Sequence, residues 1–230
     1  MSFLTPRLFA LASMVSEGEI VADIGTDHAY LPIFLAKDGK AKKIYATDVA
    51  LKPLSVAKNN IASFGVSDKV ETMLADGIEW TIPNNIKLDS CIIAGMGSST
   101  ILDILKKDNV NIDCYIIASN TNLEPIRKWA KQKKYFIEKE LLIEDNKIIY
   151  ELIKINKFAG YKIKNQLDVL FGPILRKDNN KLFLQKWLKE EQKILDLLKQ
   201  IPVKDKKSKE FLKYKKNINK ILKRRTLINE

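Results

Sequence analysis

The chain has 230 residues, of which 46% are hydrophobic, 30% charged and 8% aromatic; this suffices for one full-sized domain with a small appendage and argues against wholesale disorder. No apolar run approaches the ~18 residues of a membrane-spanning helix, and residues 1–7 lack the basic-then-apolar layout of a secretory leader, so a cytoplasmic protein with no membrane partner is expected. The net charge of +12 is unevenly placed: residues 1–153 carry 18 Lys and Arg against 20 Asp and Glu, whereas residues 154–230 carry 22 against 8. A basic excess confined to one end points to a polyphosphate partner, with a solvated lysine-rich face as the plainer reading.

Along the chain, short apolar runs alternate with amphipathic stretches. EIVADIG (19–25) reads as a buried strand closing on a glycine, and 31–37 as a short helix. KKIYATD (42–48) is a second strand. In 51–65, Leu54, Ala57, Ile61 and Phe64 share one helical face, and Gly65 stops it. VETMLAD (70–76) and LDSCIIAG (88–95) are the third and fourth strands. Ser98 or Ser99 is then expected to cap a helix through Leu105. IDCYIIAS (112–119) is the fifth strand, and 124–133 a helix with Pro125 in its first turn. This alternation predicts a parallel sheet covered on both faces. The runs at 135–143 and 147–155, separated by Glu144-Asp145-Asn146, predict a closing antiparallel hairpin. The expected class is therefore α/β, a Rossmann-like sheet resembling class I methyltransferases.

After about residue 156 strand signals vanish and lysine dominates. Leu184, Trp187, Glu191, Ile194, Leu198 and Ile201 step by three and four, and Pro202 ends that helix. Phe211, Tyr214, Ile218 and Ile221 repeat the spacing, which predicts an antiparallel helical hairpin of coiled-coil type. We divide the chain at 1–157, a catalytic domain, and 158–230, a basic helical domain. Lys206, Lys207, Lys213, Lys216, Lys220, Arg224 and Arg225 lie on the polar faces of the second helix and are the candidate RNA contacts.

Chemistry concentrates at strand ends, where open parallel sheets hold their ligands. The first strand closes in Asp23-Ile24-Gly25-Thr26-Asp27-His28, and Gly25 lets the backbone pass close to a ligand. The dinucleotide fingerprint GxGxxG is absent, and an aspartate facing a pyrophosphate would repel it. The sulfonium and amino groups of S-adenosylmethionine are cationic and would be attracted instead. Asp48 closes the second strand, placed to accept ribose hydroxyls, and Asp76-Gly77 the third, placed to accept an adenine amino group. Singly each acid can be a cap or a turn former; three at consecutive strand ends read as a cofactor site.

The fourth strand ends in Ala94-Gly95-Met96-Gly97-Ser98, exposing backbone groups opposite the methyl donor. The Asn/Asp-Pro-Pro-aromatic segment of enzymes that methylate exocyclic amino groups is missing, which disfavours N6-adenine methylation. Cys91 and Cys114 head apolar runs and read as buried free thiols, so C5-pyrimidine chemistry lacks its activated nucleophile. With one histidine and no CxxC, no metal site is expected. His28 stands either as a structural residue or as a catalytic one beside the cofactor strand.

In order, the segments ADIGTDHAYLP (22–32), LADG (74–77), IAGMGS (93–98), IRKW (126–129), IEDNKIIYELI (143–153), GPIL (172–175) and FLQKW (183–187) resemble the TrmK family of bacterial tRNA (adenine-22 N1)-methyltransferases, over nearly the full chain. The resemblance implies methylation of adenine N1 in tRNA with S-adenosylmethionine as donor. It implies that Gly25, Asp27, Asp48, Asp76 and Gly77 line the donor pocket, to which the strand-end reading adds Asp23 and Ala94. It further implies that His28, Tyr30 and Gly95-Met96-Gly97 face the adenine; beside that, Asp27 or His28 is the candidate to stabilise the charge of the methylated base or accept its proton. Two departures stand out. Ser98 replaces the family's further glycine, and the family's Gln-Pro-Asn after the fifth strand is here Ala118-Ser119-Asn120, so that Asn120 alone carries over as a tRNA contact. A small-molecule methyltransferase with an oligomerising tail and a non-catalytic RNA-binding protein are the rival readings; a monomer is the expected state.

Overall fold

The computed structural model describes residues 4–178, 180–200 and 205–226, without the side chains of Lys206 and 223–226. The chain opens with helix α1 (Pro6–Ala12), which has no counterpart in the sequence reading. Thr5 caps it by accepting from the Leu8 amide, and Pro6 occupies the first turn, where its missing N–H costs nothing. Then follow β1 (Glu19–Ile24), α2 (Tyr30–Lys37), β2 (Ala41–Asp48), α3 (Leu51–Ser63), β3 (Val70–Leu74), β4 (Leu88–Met96), α4 (Ser98–Leu105), β5 (Ile112–Ser119) and α5 (Glu124–Gln132). Strands β6 (Phe136–Asp145), β7 (Ile148–Asn156) and β8 (Tyr161–Lys162) close the sheet, and α6 (Gln166–Phe171), α7 (Lys181–Gln200) and α8 (Lys206–Thr226) complete the chain.

The eight strands form one sheet in the order β3-β2-β1-β4-β5-β7-β6-β8. Strands β1 to β5 are parallel, and β7 slips in antiparallel between β5 and β6. The expected hairpin is present, but its turn is Asn146-Lys147 rather than residues 144–146. Both residues take positive φ (50° and 65°), the geometry of a two-residue hairpin loop that matches strand twist. The strand order reverses between β1 and β4, which opens a crevice at their carboxyl ends.

Two apolar layers sandwich the sheet. Leu11, Leu31, Ile33, Ala57 and Ile61, from α1 to α3, cover one face. Ile101, Leu105, Ile126, Trp129 and Val169, from α4 to α6, cover the other. Cys91 and Cys114 are buried free thiols; burial pushes the Cys91 pKa up strongly and that of Cys114 to about 12, so neither supplies a thiolate.

The tail helices α7 and α8 share a third apolar cluster. Its seam begins at Phe183 rather than Leu184 and continues through Trp187 and Ile194 to Ile218 and Ile221 of α8. Ile201 and Pro202 lie outside the described residues. The seam is not private to the tail: Phe171 of α6 packs edge-on to Trp187 at 4.6 Å between ring centres, and Leu142 of β6 joins the same cluster.

A buried ion network reinforces that junction. Arg127 of α5 is fully buried; its Nε donates to Glu140 at 2.8 Å and its Nη2 to Glu151 at 2.6 Å. Lys186 of α7 reaches the other Glu151 oxygen at 2.8 Å, and Glu140 also accepts from the Ile174 and Leu175 amides. Burial opposes the charge on Glu151, yet Arg127 and Lys186 hold its pKa below the usual range. At Gly172, whose φ is 82°, a Cβ would run into the Glu140 carboxylate, so the glycine is required on both counts.

Candidate active site

The carboxyl ends of β1 to β4 enclose two adjoining clefts. The first, of about 340 Å³, is lined by Gly25, Asp48, Asp76, Gly77 and Met96, with Ile104 and Lys107 from α4 and the turn after it. The second, of about 380 Å³, is lined by Asp23, Gly25, Asp27, His28, Tyr30, Ala94, Gly95 and Met96, with Arg7 of α1. Gly25 and Met96 belong to both. Gly25 has φ 76°, and a Cβ there would strike the Met96 side chain, so the close approach of these two residues, which both clefts share, requires a glycine. Gly97 lines neither cleft. It is the N-terminal cap residue of α4, the role expected of Ser98 or Ser99.

Each acid is held differently. Asp48 accepts from the Ala50 amide at 2.8 Å, which fixes its carboxylate at the end of β2. Asp76 meets Lys107 at 3.4 Å, and Lys107 meets Glu79 at 2.7 Å; that hydrogen bond and the nearby Asp76 charge push the lysine pKa up. Asp23 sits deeper. Burial pushes its pKa up to about 6, against the pull of the nearby Thr26 hydroxyl, and repulsion from Asp48 adds to the rise.

The base-facing side is more open. Asp27 and His28 approach to 3.3 Å, with 73% of the Asp27 side chain and 47% of the His28 side chain exposed. The His28 ring stacks on Tyr30 at 5.3 Å and 19°, an aromatic ledge at the mouth of the second cleft. Asn60 of α3 fixes the turn behind it by donating to the His28 carbonyl at 2.9 Å, and Ala29 takes φ 56° to start α2 there.

Opposite the ledge, Asn120 ties two strand ends together. Its amide donates to the Gly95 carbonyl at 2.7 Å, its backbone N–H donates to the Met96 carbonyl at 2.8 Å, and its Oδ1 accepts from Arg7 at 3.1 Å. Among the described residues, no three His, Cys, Asp or Glu side chains converge to hold a metal ion.

The clefts together suit an elongated ligand with a nucleoside at one end and a cationic group at the other. Residues 21–224 match the model of the family TrmK, tRNA (adenine(22)-N(1))-methyltransferase. The tRNA (adenine(22)-N(1))-methyltransferase of Bacillus subtilis strain 168 is 31% identical over 205 residues, covering 86% of this chain and 85% of that protein.

The chain belongs to the TrmK family. The structure of M. capricolum TrmK in complex with S-adenosyl-homocysteine is 35% identical, superposes with a TM-score of 0.89, and covers 96% of this chain and 98% of that one. A Streptococcus pneumoniae protein solved in complex with S-adenosyl-L-methionine is 30% identical with a TM-score of 0.83, covering 96% and 100%. The TrmK fold thus extends through the tail, and the donor of the family's reaction is S-adenosylmethionine. Two features of this chain fit that donor: carboxylates at the ends of β1, β2 and β3, and a glycine shared by both clefts.

The two departures from the TrmK pattern are bridged by Thr121. Thr121 Oγ1 accepts from the Ser98 amide at 3.0 Å and lies 2.9 Å from the Ser98 hydroxyl; the Ser119 hydroxyl lies 3.2 Å from it on the other side. A chain of hydroxyls therefore pins the loop after β4 to the loop after β5.

Of the predicted residues, Lys207, Lys213, Lys216 and Lys220 lie exposed on α8 and line neither cleft. The side chains of Lys206, Arg224 and Arg225 lie outside the described residues. Sequence reasoning missed Arg7 and Lys107. The Thr5-Pro6 start signal was sufficient to find the helix that carries Arg7, but nothing local places that helix beside β4.

Proposed function

We propose that the two clefts carry out the family's reaction, transfer of a methyl group to N1 of adenine 22 in tRNA, with the following division of labour. Asp48, Asp76 and Gly77 hold the adenosine half of S-adenosylmethionine in the first cleft. Asp23, Gly25, Asp27 and Ala94 hold its methionine half in the second. When bound, the donor supplies an electrophilic methyl group.

The chain's task is chiefly alignment. Adenine N1 carries its own lone pair, so no residue has to deprotonate it first, and positioning supplies much of the rate. Gly95 and Met96 set the backbone facing the base, and Gly97 starts α4 behind them. The base must leave its stack to reach the cleft, and Tyr30 or Met96 packs against it there. Methylation leaves the base cationic. The Asp27–His28 pair stabilises that charge or takes a proton from the base.

Within residues 158–230, α7 and α8 form the tRNA-binding unit beside the catalytic unit at 1–157, whose sheet and core β8 and α6 complete. Lys207, Lys213, Lys216 and Lys220, with Lys206, Arg224 and Arg225, contact phosphates, giving affinity without reading sequence. The working molecule is a cytoplasmic monomer that needs no metal. Among the described residues no helix is long and apolar enough to cross a membrane.

The observation that carries this reading is the meeting of the β1, β2 and β3 acids in one crevice with the His28–Tyr30 ledge at its mouth. Charge reversal tests the tail assignment better than truncation, because removing α7 would strip Phe183 and Trp187 from Phe171 and Leu142. The triple variant Lys213→Glu, Lys216→Glu, Lys220→Glu should lose tRNA affinity by about 10²-fold or more at low salt while binding S-adenosylmethionine normally by calorimetry. Unchanged tRNA affinity would remove α8 from the interface.

A further inference from the structure

A third depression, of about 270 Å³, lies on the far side of Asn120 from the active-site clefts. One wall is the loop after β5, with Asn120 and Asn122; another is the start of β7, with Tyr150; the third is the tail, with Lys193 and Tyr214. Arg7 forms the ridge between this groove and the His28 cleft. It lines that cleft, donates to Asn120, and places its guanidinium 4.7 Å from the centre of the Tyr150 ring. Asn120 and Tyr150, the two residues Arg7 contacts here, both line the groove.

We propose that this groove is a nucleotide subsite. It holds an unstacked base of tRNA adjacent to the target adenine, with Arg7 on the phosphate that joins the two. The proposal rests on the tRNA reading above.

The chemistry of the walls favours a base over a phosphate. Lys186 is paired with Glu151 at 2.8 Å and Lys193 with Glu190 at 3.6 Å, so the groove's own cations are largely balanced. What remains are the Asn122 amide, able to donate and accept at a base edge, and the rings of Tyr150, one face of which Arg7 covers, and Tyr214, which offer aromatic surface to a base. The cation available for a phosphate stands on the ridge.

The energetics of extrusion ask for such a site. Swinging one base out of a stack also leaves its neighbours with lost stacking, and a pocket that accepts a neighbour offsets part of that cost. The placement also gives the tail a second use. The Lys186–Glu151 pair, tied to buried Arg127, holds α7 as a fixed wall of the groove and not merely as a carrier of lysines.

The test uses the full-length protein and three tRNA transcripts: one intact, and one abasic at each nucleotide flanking the target. With wild-type protein, one of the two abasic transcripts should show KM raised about tenfold, the loss expected for one stacked base. Asn122→Ala and Tyr150→Leu should raise KM for the intact transcript by a similar factor, and neither should lose further on that abasic transcript. Calorimetric S-adenosylmethionine affinity should stay at the wild-type value. Asn122 is exposed on its loop, so its variant keeps the test readable if Tyr150→Leu perturbs the fold. Wild type and variants losing equally on the abasic transcript, or variants that methylate intact tRNA like wild type, would overturn the subsite. A wild-type protein that binds S-adenosylmethionine and methylates no tRNA would instead overturn the reading beneath it.

Discussion

The side-chain amide of Asn120 donates to the carbonyl of Gly95 at 2.7 Å, joining the ends of β5 and β4 directly above the crevice. Gly95 takes φ 79°, so the carbonyl that faces Asn120 depends on a backbone conformation few other residues accept. Arg7 then holds Asn120 from the other side at 3.1 Å.

Asn120→Asp separates these two bonds. The carboxylate keeps the Arg7 contact and gains charge complementarity with it, but it cannot donate to Gly95 and repels its carbonyl. We expect kcat to fall about 10²-fold from the misplaced loop, while S-adenosylmethionine affinity changes little. Steady-state kinetics with tRNA, alongside calorimetry of the donor, reads the two effects separately.

Asp23 gives the pH dependence of donor binding a definite sign. Its pKa in the free protein is raised to about 6, and a cationic amino group is attracted to it only when it is ionised. Affinity should therefore be full near pH 7 and fall about tenfold by pH 5, as the carboxylate takes up its proton. Stability runs the other way. The folded state holds this proton more tightly than the unfolded chain, so the ionised group costs stability above pH 6, and the cost disappears as pH drops below the ordinary carboxylate value. Asp23→Asn should raise Tm at pH 7.5 and flatten the affinity profile at a low level. A profile unchanged in Asp23→Asn would contradict this assignment.

The two cations of the buried network should differ in weight. Arg127→Met leaves Glu140 and Glu151 facing each other in the interior and should cost about 3–5 kcal/mol in urea denaturation. Lys186→Met leaves Glu151 its Arg127 partner and should cost less, with its main effect at the junction: faster proteolysis of the tail and a higher KM for tRNA. Equal losses in global stability would mean that the tail and sheet do not unfold as separately held units.

Much of this architecture was legible in the sequence. The strands β1 to β5 announced themselves as apolar runs because both faces of a parallel sheet are buried, and their terminal acids lie where the order reverses, at the site itself. Helices that depend on tertiary support were harder to find. Short α1, α6 and the edge strand β8 carry little periodicity of their own; β8 exists because it pairs with the first residues of β6. The seam of the tail was misplaced by one residue at Phe183 because its partner includes Leu142 and Phe171, which no heptad pattern within the tail can encode. Ser98 and Ser119 looked like independent departures from the TrmK pattern. Only the fold shows that Thr121 joins them, since the bonds cross between loops 23 residues apart.

The central claim is methyl transfer to adenine N1 at position 22, and the most direct test is to incubate unmodified tRNA with this protein and labelled S-adenosylmethionine, then map the labelled nucleoside by mass spectrometry. We expect a single 1-methyladenosine at position 22, abolished in Asp27→Ala. Label on another base or position, or none in any tRNA from a protein that binds the donor, would contradict the assignment.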